Sequence, residues 1–132
     1  MLRFICNIIC LWICVSASVF AQDTSKIKPK LITLNIDSSD YQSIFSETNG
    51  TVSIHSGLVT LKSGEAIGIH NTDEYEEIII VFKGEGQMTF NNNQSFNLKY
   101  GVIAYCPPHT EHNVKNIGII PLKYLYVAAK TK

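Results

Sequence analysis

From Thr51 onward, apolar and polar positions alternate in short runs, each closed by turn-forming residues. Runs rich in β-branched and aromatic residues, bounded by Gly, Pro, Asn and Asp, mark strands rather than helices. The expected strands are Thr51 to Ile54, Gly57 to Lys62, Ala66 to Asn71, Glu77 to Lys83, Gln87 to Phe90, Gln94 to Leu98, Val102 to Cys106, His112 to Lys115 and Leu122 to Ala128. The strongest contains Ile78, Ile79, Ile80, Val81 and Phe82 in succession. Such a continuous apolar run suits a strand buried on both faces. Pro107-Pro108 ends its strand, because neither residue can donate to a ladder. Upstream, Leu31 to Ile36 reads as a first strand and Asp37 to Asp40 as a turn. Ser39 or Asp40 is placed to cap a short helix running through Phe45. Many short strands with almost no helix predict an all-β sandwich or barrel.

The chain has 132 residues, 45% of them hydrophobic, enough for one domain with a real core. Eleven basic residues balance eleven acidic ones, so no charge excess points to nucleic acid. The first 21 residues read as a secretory signal peptide: Arg3, an apolar stretch from Phe4 to Phe20, then Val19-Phe20-Ala21 before the expected cleavage point. The apolar stretch is slightly short for a bilayer span of about 20 residues. The expectation is an exported protein, periplasmic or secreted, with no stable membrane insertion after cleavage. Residues 22–30 form a polar, flexible leader, and 31–132 the folded domain. Cleavage removes Cys6, Cys10 and Cys14, leaving Cys106 alone and without a disulfide partner.

Candidate chemistry is confined to two stretches. One runs from Gly64 through His70, Asn71 and Thr72 to Glu76, Glu77 and Gly84; the other runs from Gly101 through Cys106, His109 and His112 to Asn116. Neutral imidazole and carboxylate are ligands that a borderline divalent metal prefers. Alternation in a strand puts Glu77 on one face with Ile79 and Val81, and Glu76 on the other with Ile78. Glu77 is therefore assigned inward and Glu76 to solvent. His70 and Thr72 share a face by the same rule. Core histidines satisfied by backbone groups are the plainer reading of His70 and His112.

The spacing of these residues resembles the two motifs of the cupin family. The first motif appears as Gly64, five residues, His70-Asn71-Thr72, four residues, Glu77, six residues, Gly84; the second appears as Gly101, five residues, Pro107-Pro108-His109, two residues, His112, three residues, Asn116. The resemblance implies a double-stranded β-helix, a jelly-roll barrel of cupin type, with a metal in its mouth. It implies His70, Glu77 and His112 as the ligands of a divalent ion: iron, manganese, nickel or zinc. Two positions depart from the pattern. Thr72 stands where the family usually has a second histidine, and His109 where it usually has glycine. Two histidines and one carboxylate with open positions is an arrangement used by non-haem iron enzymes. The Thr72 hydroxyl is a poor ligand, but it could hydrogen-bond a metal-bound water.

Two functions follow as expectations. One is a metal-dependent enzyme, of dioxygenase or isomerase type, acting on a small molecule. The other is a module, metal-free or weakly metal-binding, that holds a sugar-like ligand. The resemblance also implies that dimers are common, and the strand-like run Leu31 to Ile36 is read as an exchanged or pairing strand. His109 is expected on the solvent-facing rim, Cys106 as a small buried hydrophobe, and His55 is given no role.

Overall fold

The computed structural model describes residues 24 and 27–132; the expected signal peptide lies outside the described residues. Among the described residues, nine strands form two antiparallel sheets. They are β1 (Gln42–Phe45), β2 (Ile54–Leu61), β3 (His70–Asn71), β4 (Tyr75–Lys83), β5 (Glu85–Phe90), β6 (Ser95–Lys99), β7 (Ile103–Cys106), β8 (Glu111–Asn116) and β9 (Leu122–Lys130). One sheet has the order β1-β2-β9-β4-β7 and the other β3-β8-β5-β6. This is the all-β class that the strand pattern predicts, in the jelly-roll form that the resemblance implies.

The core lies between the sheets. Val59 and Leu61 from β2, Ile79 and Val81 from β4, and Leu122 and Tyr124 from β9 face Met88, Leu98 and Val114 from the smaller sheet. Burying side chains of this size is worth about 1.5–3 kcal/mol each. The apolar run of β4 is less symmetric than expected. Ile79 and Val81 are fully buried, whereas Ile78, Ile80 and Phe82 on the outer face are half-buried.

Turns explain two of the motif residues. Gly84 has φ +81°, and a Cβ there would lie 2.6 Å from the Pro121 carbonyl oxygen. Only glycine lets the β4–β5 turn sit against the start of β9. Asn116 is fully buried. Its side-chain amide donates to the Leu61 and Ile120 carbonyls at 2.9 and 2.8 Å. Its oxygen accepts from the Gly118 N–H at 2.8 Å, closing the loop before β9.

The amino-terminal expectations need correction. Leu31 to Ile36 forms no strand, and Leu31 is almost fully exposed. β1, not this segment, takes the place beside β2. The buried Lys123 ammonium instead donates to the Ile36 and Ser38 carbonyls, tethering this segment without pairing it. The helix expected through Phe45 is replaced by β1. The capping chemistry falls later, at Ser46, whose hydroxyl accepts from Asn49 N–H ahead of a 3-10 turn over Glu47–Asn49. The two strands expected between Thr51 and Lys62 are one, β2. Of the run from Ala66 to Asn71, only His70–Asn71 is strand, with one isolated bridge at Ala66.

Candidate metal centre

His70 and His112 stand directly opposite each other across the β3–β8 ladder. Side chains opposite in an antiparallel pair share a face, and here the imidazole centroids are 4.2 Å apart. Glu77 reaches the same point from β4 of the other sheet, placed inward by the alternation that also buries Ile79 and Val81. One ligand-capable atom from each of His70, Glu77 and His112 lies within 4.8 Å of the others. Ligands bonded to one ion at about 2.1 Å sit about 3–3.5 Å apart, so a modest closing of side chains completes the geometry.

Both imidazoles are oriented in the same way. His70 Nδ1 is 2.9 Å from the Gly68 carbonyl oxygen, and His112 Nδ1 is 3.3 Å from that of Thr110. Each carbonyl belongs to the residue two positions upstream. A carbonyl only accepts, so Nδ1 carries the proton and Nε2 presents a lone pair. His112 is 2% exposed, and its Nε2 is buried without a hydrogen-bond partner among the described residues. That nitrogen points at Glu77 Oε1 from 3.5 Å, too long for a strong hydrogen bond. A buried polar atom left in this state is costly. An ion between the two groups removes that cost, and two nitrogens with one carboxylate suit a borderline divalent metal.

With no cation between them, Glu77 acts on the imidazole itself. Burial is the largest influence on His112 and opposes its protonation. The Glu77 carboxylate and the Thr110 carbonyl together outweigh it and raise the pKa. Cys106 lies fully buried with Sγ 3.5 Å from His112 Nδ1. Burial first, then the Glu77 charge, pushes its thiol up to about 11, against a hydrogen bond from Thr110. It is an inert small side chain behind the imidazole, as expected, and no thiolate nucleophile.

Thr72 does something other than bind a metal-bound water. Its hydroxyl donates to the Pro107 carbonyl at 2.8 Å and accepts from the Thr110 N–H at 2.9 Å. Its own N–H donates to the Thr110 carbonyl at 3.2 Å, and the His109 N–H donates to the Asp73 carbonyl at 2.8 Å. The residue in place of the family's second histidine thus ties the end of β3 to the loop that delivers His112. His109 is exposed on that loop and has φ +56°, the left-handed conformation for which glycine is better suited. It is a rim residue. Glu76 is likewise outside, accepting from the Tyr105 hydroxyl at 3.3 Å.

Two cavities of about 300 and 310 Å³ open beside the three candidate ligands, and His70 and Glu77 line both. Tyr41 and Tyr126 close one side of the second, hydroxyl to hydroxyl at 3.0 Å, with the Tyr41 ring packed over Gly57. His55 lines the first. Neither Tyr41 nor His55 was expected at the site. For His55 a signal existed: alternation in β2 groups it with Gly57, Val59 and Leu61 on the inward face. For Tyr41 none did, because its placement depends on the path of the segment before β1.

Comparison with known proteins places this geometry. The chain is 38% identical over 73 residues to the uncharacterized protein MJ1618 of Methanocaldococcus jannaschii, and the match covers 55% of this chain and 56% of that one. The chain thus spans little more than half the length of this relative. Among solved structures, BH2720 of Bacillus halodurans superposes with a TM-score of 0.67 at 21% identity, covering 79% of this chain and 84% of that one. An RmlC-like cupin family protein of Methanocaldococcus jannaschii, with a double-stranded β-helix fold, gives 0.63 at 22%, covering 77% and 91%. The Cnp3 cupin domain of Schizosaccharomyces pombe gives 0.62 at 21%, covering 69% and 64%. A sequence profile described as "Cupin domain" matches residues 57–128, more than half of the chain. With that match, the two intact motif spacings and the jelly roll that brings them together, the chain belongs to the cupin family.

Proposed function

We propose that the protein is exported and that it binds a small polar molecule, as substrate or ligand, at a divalent metal held by His70, Glu77 and His112. The observation that carries this reading is the buried Nε2 of His112, without a hydrogen-bond partner among the described residues and aimed at Glu77 while a backbone carbonyl holds its other nitrogen. When bound, iron, manganese, nickel or zinc would supply Lewis acidity at positions the protein leaves open. His70 and His112 hold their lone pairs ready, and Glu77 supplies the negative charge that a cation needs. Tyr41 and Tyr126 shield one side of the site, and the cavities leave room for the ligand.

Elemental analysis of the purified protein beside His112→Ala tests the metal. We expect about one equivalent of a transition ion in the native protein and none in the variant. A native protein with no metal, and no gain in thermal stability from iron, manganese, nickel or zinc, refutes the assignment. Saturation at 100 times Kd would add about 2.7 kcal/mol. Export is tested by sequencing the amino terminus of protein recovered from the producing cell, with Gln22 expected first. A homodimer is the expected assembly, read by light scattering. Leu31 to Ile36, unpaired within the chain and with Leu31, Ile32 and Ile36 exposed, is the candidate pairing strand, and a stable dimer after its deletion would exclude it.

One observation favours a second reading, a metal-free binding module. Thr72 replaces a ligand and its hydroxyl is committed to the backbone, leaving three donors where the family usually has four. Undiminished ligand binding after chelation would support that reading over the first.

A further inference from the structure

We propose that His55, Tyr75 and Ala128 form a second ligand-binding subsite beside the metal centre, and that it selects a neutral polyhydroxylated molecule with a backbone of about four to six atoms. This rests in part on the metal reading, since one end of the ligand is placed at His70, Glu77 and His112.

The argument starts from register. His55 on β2 pairs with Ala128 on β9, and Ala128 pairs with Glu77 on β4. The three therefore form one row across the larger sheet, all facing inward. Tyr75 is two residues from Glu77 on the same strand and shares that face. All four line one cavity of about 300 Å³, together with His70 and Asp73. The middle member of the row is the small one. Ala128 leaves a gap flanked by side chains able to bind on both sides.

Strand spacing sets the length. Neighbouring strands lie about 4.8 Å apart, so His55 and Glu77 are separated by about 10 Å at the backbone. Side chains on one face stand roughly parallel, so a ligand joining the two ends bridges only part of that separation once the bonds to the ion, about 2.1 Å each, and a hydrogen bond of about 2.8 Å are taken off. A short chain of four to six atoms fits that span.

The polar groups at the far end set the class. His55 Nε2 is 3.5 Å from the Tyr75 hydroxyl and 3.8 Å from a Glu47 carboxylate oxygen. The rings of His55 and Tyr75 meet edge to face at 5.4 Å, which fixes both. The pair offers a donor and an acceptor side by side, as a hydroxyl group requires. With Glu47 and Asp73 close by, a ligand carboxylate would meet like charge there. Hydroxyls make both bonds and carry no charge.

The test uses the purified protein loaded with Mn(II). The probes are xylitol, succinate and 1,4-diaminobutane, of similar length and neutral, anionic and cationic. Paramagnetic relaxation of probe protons reports binding near the metal. Xylitol is expected to bind tightest. Ala128→Leu, which fills the gap and leaves every polar group in place, is expected to weaken xylitol at least tenfold while Mn(II) affinity stays within twofold. Tyr75→Phe should weaken xylitol several-fold, again with the metal unaffected. Equal xylitol binding by Ala128→Leu and the native protein, tighter binding of succinate or diaminobutane, or no xylitol binding at all overturns the proposal. Should the protein take up no Mn(II), saturation-transfer NMR on the same variants separates the two ideas. Xylitol binding that depends on Ala128 would then uphold the subsite and sink the metal centre alone.

Discussion

Thr72→Val removes one oxygen and keeps the shape of the side chain, so it isolates the clamp between β3 and the loop that delivers His112. Two hydrogen bonds go with the hydroxyl, one to the Pro107 carbonyl and one from the Thr110 N–H. An ordinary intramolecular hydrogen bond contributes about 0.5–1.5 kcal/mol, and a buried group left without a partner costs about 1–3. Thr72 itself is buried, so no water readily replaces its hydroxyl. Pro107 is exposed, however, and its carbonyl can be rehydrated. The larger loss is therefore at Thr110 N–H, and the sum is about 2 kcal/mol. For a domain of this size about 4–8 °C of Tm accompanies each kcal/mol, so the midpoint should fall by about 8–16 °C. The assay is thermal unfolding of metal-free protein by circular dichroism, with Thr72→Ser as the variant that keeps the hydroxyl. Metal affinity should also fall in the valine variant, because the same loop supplies the Thr110 carbonyl that orients His112. A valine variant within 0.5 kcal/mol of the native protein, with unchanged metal affinity, would falsify the clamp. The same logic predicts that Thr72→His does not restore a four-ligand site, since the new imidazole comes at the expense of both bonds.

Three further outcomes follow from the geometry. Glu77→Gln keeps the volume and deletes the charge; metal affinity should drop at least 100-fold by titration, more than the 10- to 100-fold typical of losing a group outside the ligands, and an unchanged affinity would remove Glu77 from the set. Gly84→Ala should destabilise by several kcal/mol or prevent folding, because its Cβ would meet the Pro121 backbone at a positive φ; a near-native denaturation midpoint would contradict this. Burial raises the Cys106 thiol from 9.0 to about 11, so the folded state favours the protonated form. That contribution is intact below pH 9 and is lost as pH rises toward 11, a loss of about 2–3 kcal/mol. Folded protein should resist iodoacetamide at pH 8 and react at once in denaturant, and rapid labelling without unfolding would refute the buried, neutral thiol.

The order of strands along the chain was legible in the sequence because strand formation is signalled locally. The alternation of β4, the double proline after β7 and the glycine at the β4–β5 turn each report on their own few residues. The candidate set was legible too, since His70, Glu77 and His112 keep the spacing that two strand pairs and a turn impose, and the fold brings them together. What alternation cannot carry is partnership. Leu31 to Ile36 has the composition of a strand and forms none, because an edge is free or taken only once every other strand is placed. Thr72 lies where a ligand would lie, yet its hydroxyl turns to a loop 35 residues further on. The proton on each imidazole is decided by carbonyls at Gly68 and Thr110, whose directions depend on backbone geometry, not on residue identity. His55 and Ala128 acquire meaning only from the register that sets them in a row with Glu77. The sequence alone determined the elements and the chemistry they bear. Convergence, tautomer and the shape of the space between were decided by the tertiary structure, since each depends on contacts between residues remote in the chain.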